Sequence, residues 1–577
     1  MKIRTIQAQY PLRRWFILSL FLFGMLGLST RAVYLQLLNN EFLIEHGDAR
    51  SIREVEIPSH RGVITDRNGE QLAMSTPVDS IWATPRRVFE DTERLPALAK
   101  ALEMSVTELH QTLRDRITRD FIYLKRHANP DMVKAVQALK VKGVSTQREY
   151  KRYYPAAEVT SHIIGFTNID DQGQEGLELA YDKWLSGEPG LKRVLKDRLN
   201  RVVENIESIK SPEPGKDLVL SIDRRVQYLA YRELAAAVKY HQAKGGSLVM
   251  LDTKTGEVMA MVGQPSYNPN NRSGLKSLYY RNRAVTDVFE PGSTMKPFTI
   301  SAALETGMFK PHTPINASPG FLKVGDHIVR DMHNYGNIDV TKVITKSSNV
   351  GASKIALSLE PEHFWDTLSR FGFGQPTGSG FPGESSGTLS PYNTWSDFEM
   401  ATLSFGYGLS VTPLQLAQAY SVLASGGVML PVSFIKVDGP VSGKRVLEES
   451  VARQVRKMLA TVVSAQGTGK RAAVRGYRVI GKTGTVHKSI QGGYSDNRYI
   501  SLFAGIAPAS EPRFAMVVLI DEPRGGDHYG GLVSAPVFSR VMEGAFRILN
   551  IPPDDLPAIT SPIMANRHDS DQLQGLD

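Results

Sequence analysis

The first pattern along the chain is an apolar stretch near its N-terminus. WFILSLFLFGMLGLST, from Trp15 to Thr30, has no charged residue, and AVYLQLL extends the apolar run beyond Arg31 to Leu38. A helix of this length spans a hydrocarbon layer of about 30 Å, and an arginine near its end can reach the interface. The sequence therefore predicts one membrane anchor over residues 15–38.

The residues around this stretch indicate its orientation. Arg31 and Tyr34 stand where a signal peptide would have small residues, so an uncleaved anchor is favoured over a cleaved signal. No second stretch of this length follows. Basic residues precede the anchor, namely Lys2, Arg4, Arg13 and Arg14. Residues 1–14 are therefore predicted to lie in the cytoplasm and the rest of the chain outside it.

Short strand-like and helical patterns alternate after the anchor. Arg61 to Ser75 predicts two short strands around a turn at Asn68-Gly69, and Asp91 to Arg116 has apolar residues at helical spacing. Gly165 to Gly190 predicts a loop that runs into a helix. We expect a mixed α/β pedestal domain over residues 39–215, without chemistry of its own.

Proline and glycine cluster at Ser211–Gly215 and predict a domain boundary. The following domain, residues 216–552, is predicted to be an α/β layered domain with an antiparallel sheet. A polar, proline-rich tail, predicted to be disordered, covers residues 553–577. The predicted elements are a strand Asp217–Asp223, a helix Arg224–His241, a hairpin Gly245–Gly263 with a turn at Thr253–Gly256, two buried strands in RYISLFAGIAP and RFAMVVLIDEP, and a helix from about Ala535.

Composition excludes several kinds of site. The chain of 577 residues has no cysteine, which rules out thiolate metal sites, iron–sulfur clusters, disulfides and cysteine nucleophiles. We find no spacing typical of metal ligands and predict no metal and no cofactor. The net charge of +9 comes from scattered residues, so we interpret it as a mildly basic surface and expect no nucleic-acid partner.

The first chemical motif is PGSTMKPF, from Pro291 to Phe298. Pro-Gly before an apolar run predicts a helix start, and Ser293 and Lys296 then share one helix face. The helix dipole favours negative charge beside Ser293. A buried lysine next to another cation has a lowered pKa and can serve as a base, so Ser293 is the candidate nucleophile and Lys296 its base.

Two further motifs follow in order. Ser347 and Asn349 in KSSN offer a hydroxyl that can pass a proton and an amide that can hold a carbonyl, although a lone Ser-x-Asn also caps helices. Lys482-Thr483-Gly484-Thr485 follows a strand-like segment. On an edge strand its lysine and hydroxyls suit a carboxylate, and Gly484 would let a substrate backbone approach.

Each of the three motifs also occurs elsewhere in the chain, and the order of the motifs along the sequence identifies the relevant copy of each. Only Ser293 follows a Pro-Gly helix start and has the other two motifs downstream. Ser-x-x-Lys, Ser-x-Asn and Lys-Thr-Gly in this order are the motif set of penicillin-binding proteins and class A β-lactamases. The rejected copies are Ser273…Lys276, Ser433…Lys436, Ser266…Asn268, Ser495…Asn497 and Lys254–Gly256.

With these motifs the chain resembles class B penicillin-binding proteins, and most closely their division-specific type from Gram-negative bacteria. The resemblance covers nearly the whole chain and implies a penicillin-binding, serine β-lactamase-like domain behind a pedestal. The segment VHKSIQGGYSDNRY after Thr485 differs in detail. The segments that carry the resemblance are RGVITDRNGEQLA, YPAAEVTSHIIGFTNIDDQGQEGLE, YNPNN, RNRAVTDVFEPGSTMKP, KSSNVG, FGYGLSVTPLQLA, KTGT and YGGLVSAPVF.

The resemblance implies roles for these residues. Ser293 would attack the penultimate D-Ala carbonyl of a pentapeptide stem, with Lys296 as base and the backbone N–H groups of Ser293 and Thr485 as oxyanion hole. Ser347 and Lys482 would relay a proton to the departing D-Ala, Asn349 would hold the stem amide, and Thr483 and Thr485 would grip its carboxylate. Tyr407 is either a wall of the cleft or a core residue.

The implied activity is D,D-transpeptidation of peptidoglycan stems in the inner membrane, and β-lactams would acylate the same serine. Other expected partners are a membrane glycan polymerase and other division proteins. Three alternatives remain open: a D,D-carboxypeptidase or β-lactamase with water as acceptor, a β-lactam sensor, and a bifunctional enzyme that also polymerises glycan. The short N-terminal tail argues against a sensor. No paired-carboxylate pattern of a glycosyltransferase precedes Ser211.

Overall fold

The computed structural model describes residues 11–38, 52–196, 202–490 and 492–555. The chain divides into two compact units. One comprises Met1–His60 and Gly187–Gly215, and the other comprises Arg61–Ser186 and Lys216–Asp577. The predicted limits of the pedestal and of the domain that follows it stay predictions.

The first unit contains the apolar helix, Pro11–Val33, which continues as one π-helical turn, Tyr34–Leu38. The candidate membrane span is Leu12–Leu37, with a mean hydropathy of 1.8. Its most apolar part is not buried by other parts of the protein. Exposed apolar side chains of this kind suit a lipid environment.

The same unit holds a three-stranded antiparallel sheet made of Ile52–Ile57, Gly190–Lys196 and Val202–Lys210. Most of the predicted N-terminal tail and of the C-terminal tail lies outside the described residues.

The second unit begins with the predicted pair of strands. Ile64–Thr65 and Gln71–Ala83 pair antiparallel around a turn in which Gly69 has a φ of 89°. The second strand is longer than predicted, because it also pairs with Ile122–Ala128 and Val144–Tyr153. The sequence of this 13-residue strand does not by itself show where the strand ends. Pairing with these two further strands stabilises its full length.

Helices cover the apolar side of this sheet. The continuous helical pattern of Asp91–Arg116 forms two helices, since Glu103 takes a left-handed φ of 56° and Ser105 caps the second helix. Gly165–Gly190 forms a small hairpin and then helices, much as expected. The helices of this region are Pro85–Val88, Leu95–Ala101, Val106–Asp115, Pro130–Leu139, Ser161–Ile164, Gly176–Ala180 and Asp182–Ser186, and the hairpin strands are Phe166–Thr167 and Gly173–Glu175.

The remainder of the second unit is built on a five-stranded antiparallel sheet. Its strands lie in the order Val258–Gln264, Gly245–Asp252, Phe514–Asp521, Gly493–Ala507 and Ile480–Ile490. The last of these, called the edge strand below, has a partner on one side only. The α/β class and the antiparallel sheet are as predicted, and the chemical motif at Lys482 lies on an edge as expected.

The central strands are buried on both faces, so their apolar residues alternate between two cores. Val249 and Leu251 face the core around the fully buried helix Pro413–Ala424. Leu248 and Met250 face the helices Arg224–Tyr240 and Ala535–Ile548. The other helices are Arg283–Thr286, Lys296–Glu305, Val340–Lys346, Asn349–Ala356, Pro361–Arg370, Asp397–Leu403, Glu449–Ala460 and Gly530–Val533. Short strands are Leu218–Val219, Pro314–Asn316, Phe321–Val324, His327–Arg330, Asn337–Asp339, Val428–Met429 and Lys444–Arg445.

One predicted strand is much shorter in the structure. Asp217–Asp223 contributes only Leu218–Val219 to a sheet, where it pairs parallel with Ile64–Thr65. The side chain of Asp223 instead accepts from the backbone N–H groups of Arg225 and Val226. Alternation predicts a strand here, but a helix cap ends the extended segment.

His162 provides a test of packing between the pedestal segment and the sheet. Its ring is buried against Tyr267 and its Nε2–H donates to the Tyr279 carbonyl at 3.0 Å. Burial lowers the pKa of His162 to about 4.

We expect stability to fall as pH drops from about 6.5 to about 4, because the unfolded imidazole binds a proton in this window and the folded one does not. This contribution to the free energy of unfolding is on the order of 3 kcal/mol. It should vanish in His162→Phe. The free energy of unfolding is measured by urea titration of the detergent-solubilised chain at each pH. The exposed His110→Gln is the control. Parallel pH curves for wild type and His162→Phe would contradict the expectation.

Candidate active site

Ser293 lies in a 3-10 turn, Gly292–Met295, directly before the helix Lys296–Glu305. The helix start is therefore as predicted, with the serine one turn ahead of the α-helical part. Gly292 has a φ of 55°, and a Cβ there would come within 2.5 Å of a Val486 methyl group. Glycine thus allows the turn that carries Ser293 to approach the edge strand.

Lys296 is fully buried beside the serine. Its Nζ donates to Ser293 Oγ at 3.0 Å, to the Ser347 carbonyl at 2.6 Å and to Asn349 Oδ1 at 2.8 Å. Burial, and then the charge of Lys482, hold the pKa of Lys296 well below its usual value, while Asp331 opposes this shift. A neutral amine that touches the serine hydroxyl is suited to remove its proton.

Ser347 joins the two lysines. Its Oγ lies 3.1 Å from Lys296 Nζ and 2.9 Å from Lys482 Nζ. Burial lowers the pKa of Lys482 to about 7. Ser347 has left-handed backbone angles, φ 61° and ψ 38°, an uncommon conformation for a residue with a side chain. The helix-capping serine of this motif is its neighbour Ser348, whose Oγ accepts from the Gly351 N–H.

The edge strand carries the third motif. Thr483 Oγ1 lies 2.7 Å from Thr468 Oγ1, and Thr485 Oγ1 accepts from the Gly530 N–H at 3.0 Å. Gly484 differs from the expectation, because a Cβ there would face Leu502 and Thr294, 3.1 Å from each. Gly484 therefore serves close packing behind the nucleophile turn.

A cleft of about 720 Å³ opens over Ser293. Tyr407 is half-buried at its wall and its ring contacts Tyr494, so the structure favours the wall over the core. Aromatic rings also stack in the lining of the cleft, where the ring centroids of Tyr499 and His528 are 4.1 Å apart. The lining residues are Ser293, Asp331, Met332, His333, Tyr335, Lys346, Ser347, Asn349, Tyr407, Gln466, Gly467, Thr468, Thr483, Thr485, His487, Tyr499, His528, Tyr529, Gly531 and Leu532.

Asp331 is a cleft residue that the sequence analysis missed. Its carboxylate accepts from Ser348 Oγ at 2.6 Å and from the backbone N–H groups of Asn349 at 2.5 Å and Val350 at 3.1 Å. It thereby fixes the loop that presents Ser347 and Asn349. Asp331 lies in an irregular segment with no periodic pattern, so no signal in the sequence linked it to this loop.

The structure brings the predicted site residues Ser293, Lys296, Ser347, Asn349 and Lys482 into one hydrogen-bonded group, with Thr483 and Thr485 beside it. The rejected motif copies are absent from the described lining of the cleft. Within the described part of the chain, no group of three or more His, Asp or Glu residues could hold a metal ion.

Two family models match the chain. The penicillin binding protein transpeptidase domain matches residues 246–543, and the penicillin-binding protein dimerisation domain matches residues 56–220. The chain belongs to the penicillin-binding proteins. The predicted family is thus confirmed, with the two-domain order that the sequence analysis expected.

Similar proteins include the peptidoglycan D,D-transpeptidase FtsI of Escherichia coli K12, 47% identical over 91% of this chain and 90% of that protein. The probable peptidoglycan D,D-transpeptidase PbpC of Pseudomonas aeruginosa is 43% identical over 96% and 97% of the two chains. Among solved structures, a peptidoglycan synthetase from Bifidobacterium adolescentis has a TM-score of 0.70 and 26% identity, covering 88% of this chain and 98% of that one. Penicillin binding protein 3 from Mycobacterium tuberculosis, complexed with aztreonam, has a TM-score of 0.67 and 29% identity, covering 86% and 98%.

Replacing Asp331 tests how this penicillin-binding protein holds its second motif. In Asp331→Ala, Ser348 Oγ and two N–H groups lose their acceptor, so we expect acylation by penicillin to slow by roughly tenfold or more and stability to fall by about 1–2 kcal/mol. Asp331→Asn keeps an acceptor oxygen and should lose less. The exposed Asp326→Ala, on the preceding turn, is the control, and an unchanged acylation rate in Asp331→Ala would refute the role.

Proposed function

We propose that this penicillin-binding protein is a peptidoglycan D,D-transpeptidase of the division type that works through an acyl-enzyme on Ser293. The observation that carries the proposal is the contact of 3.0 Å between Lys296 Nζ and Ser293 Oγ. This base is buried next to a second lysine, which favours its neutral form. The names of the relatives agree with this enzyme class.

In the acylation step, Lys296 takes the proton of Ser293 as Oγ attacks the penultimate D-Ala carbonyl of a pentapeptide stem. A new ester bond forms and the peptide C–N bond breaks. The leaving amine of the terminal D-Ala needs one proton. Ser347 can pass it on, since its hydroxyl contacts Lys296 and Lys482. The pKa of Lys482, lowered by burial to about 7, suits an amine that gives and regains a proton near neutral pH.

Substrate binding uses the remaining motif residues. The N–H groups of Ser293 and Thr485 would stabilise the oxyanion that forms on the attacked carbonyl. Asn349 would hold the stem amide, and the hydroxyls of Thr483 and Thr485 would bind the terminal carboxylate. Tyr407 would form part of the cleft wall beside the peptide. All these side chains line the cleft over the serine.

The second step transfers the acyl group to the amine of another stem and regenerates Ser293. Water in place of the amine would give a carboxypeptidase. The names of the relatives favour the amine acceptor. A β-lactam ring would be opened by the same serine, and a structural relative is known in complex with aztreonam.

Fluorescent penicillin tests the nucleophile. Ser293→Ala should abolish labelling, because it removes the hydroxyl that is the proposed nucleophile and that contacts the buried Lys296 amine at 3.0 Å, whereas Ser273→Ala, in an exposed copy of the motif, should label like wild type. Labelling is measured by in-gel fluorescence of the full chain. Label retained in Ser293→Ala would overturn the assignment.

The acceptor is tested on the same protein with pentapeptide stems. We expect D-Ala release to accompany a cross-linked product, detected by mass spectrometry, when a stem with a free side-chain amine is present. Release of D-Ala with hydrolysed stem alone would favour the carboxypeptidase.

We further propose that the apolar helix anchors the chain in the inner membrane, with its N-terminus in the cytoplasm and the catalytic domain in the periplasm. The basic residues before the helix support this orientation. A membrane glycan polymerase and other division proteins are the proposed partners. A reporter active only in the periplasm, fused after residue 555, should be active, and its inactivity would contradict the orientation.

A further inference from the structure

A transpeptidase substrate ends in a carboxylate, and the centre described above is a weak site for that charge. The two lysines nearest the serine are both fully buried. Burial lowers the pKa of Lys482 to about 7, and burial together with Lys482 lowers that of Lys296 well below its usual value. Hydroxyl groups can donate hydrogen bonds to a carboxylate, but they bring no positive charge to balance it.

Lys346 is a further cation in the cleft. Among the lining residues that the structure describes, it is the sole lysine or arginine. The other ionisable residues of the lining are Asp331 and three histidines, His333, His487 and His528. Lys346 is half-buried, so its ammonium keeps access to the cleft.

The position of Lys346 follows from the loop that presents the second motif. It is the last residue of the helix Val340–Lys346, next to Ser347 with its left-handed backbone. Its Nζ donates to the Gln466 carbonyl at 3.0 Å. An ammonium has three N–H donors, and the Gln466 carbonyl is the one hydrogen-bond partner of Lys346 Nζ within the described residues. Two donors remain for a ligand.

The loop that Lys346 contacts also lies beside Thr483, which would bind the terminal carboxylate. Thr468, two residues after Gln466, places its Oγ1 2.7 Å from Thr483 Oγ1. Lys346 and Thr483 therefore both contact the segment 466–468, which lines one side of the cleft. This is the side on which the terminal carboxylate would lie if Thr483 binds it.

We propose that Lys346 is a specificity-determining residue that binds the terminal carboxylate of the leaving D-Ala and so selects donor stems with a free C-terminus. The proposal rests on the transpeptidase function proposed above. In this role the ammonium of Lys346 supplies the positive charge, and the threonine hydroxyls donate directional hydrogen bonds to the carboxylate. Lys296 and Lys482 stay free to exchange protons.

A purely structural role is the competing explanation, since the bond to Gln466 also fixes the loop. The two roles differ in one measurable respect. A structural defect slows acylation by every ligand alike, whereas loss of a carboxylate contact slows only ligands that have the carboxylate. A pair of substrates that differ in this group alone separates them.

Two thioesters provide such a pair: an N-acyl-D-alanyl thioglycolate, whose leaving group ends in a carboxylate, and the matching thioglycolamide. In both, Ser293 Oγ forms the ester, the C–S bond breaks and the thiol leaves with a proton. The chain has no cysteine, so released thiol is measured in the full-length protein without background. Wild type should prefer the thioglycolate, less so at high salt.

In Lys346→Gln we expect kcat/KM for the thioglycolate to fall roughly 10- to 100-fold and that for the thioglycolamide to change by less than about twofold. Lys346→Arg should restore most of the preference. Lys342→Gln, an exposed lysine one turn earlier on the same helix, should behave like wild type.

Equal losses with both thioesters in Lys346→Gln would overturn the proposal, as would unchanged kinetics with both, and either result would leave the chemistry of Ser293 standing. If wild type formed no acyl-enzyme with either thioester or with penicillin, the proposed function itself would fail, and this inference with it.

Discussion

The site depends on holding two lysine amines in the protein interior around one serine hydroxyl. A buried ammonium is unfavourable without compensating partners, and two adjacent ones repel each other. The chain meets this constraint with neutral acceptors: Ser293, Ser347 and Asn349 surround Lys296, and Ser347 lies between the two amines. The result is a pair of adjacent buried amines, each with a pKa below the usual value of a lysine.

Much of the surrounding fold serves this arrangement. A sheet buried on both faces fixes the edge strand that carries Lys482, and Gly292 and Gly484 let the nucleophile turn pack directly against that strand. Asp331 holds the start of the helix Asn349–Ala356, two residues after Ser347 with its left-handed backbone. Each contact is local, yet each restricts the distance between a hydroxyl and an amine.

The catalytic motifs could be found from sequence because each has a fixed internal spacing and a fixed order. The strands around Asn68-Gly69 follow from alternation and turn residues, and the antiparallel sheet is predicted from a hairpin and two continuous apolar runs. Asp331 and Thr468 could not be found in this way, since they meet the site only through tertiary contacts between irregular segments, and the contact of Lys346 with Gln466, 120 residues later, also depends on the tertiary structure. Local competition explains the other differences: Asp223 caps a helix where alternation predicts a strand, and Glu103 interrupts a helical pattern.

The separation of the two lysines along the chain has a further consequence. Lys296 lies at a helix start in the middle of the domain, whereas Lys482 lies on a strand near its end, so the two amines are adjacent only when that strand is in place in the sheet. Contacts between residues so distant in sequence require the closure of a long loop, which slows folding. A chain with an incomplete sheet therefore lacks a reactive serine, and covalent capture of penicillin counts natively folded molecules in a cell extract.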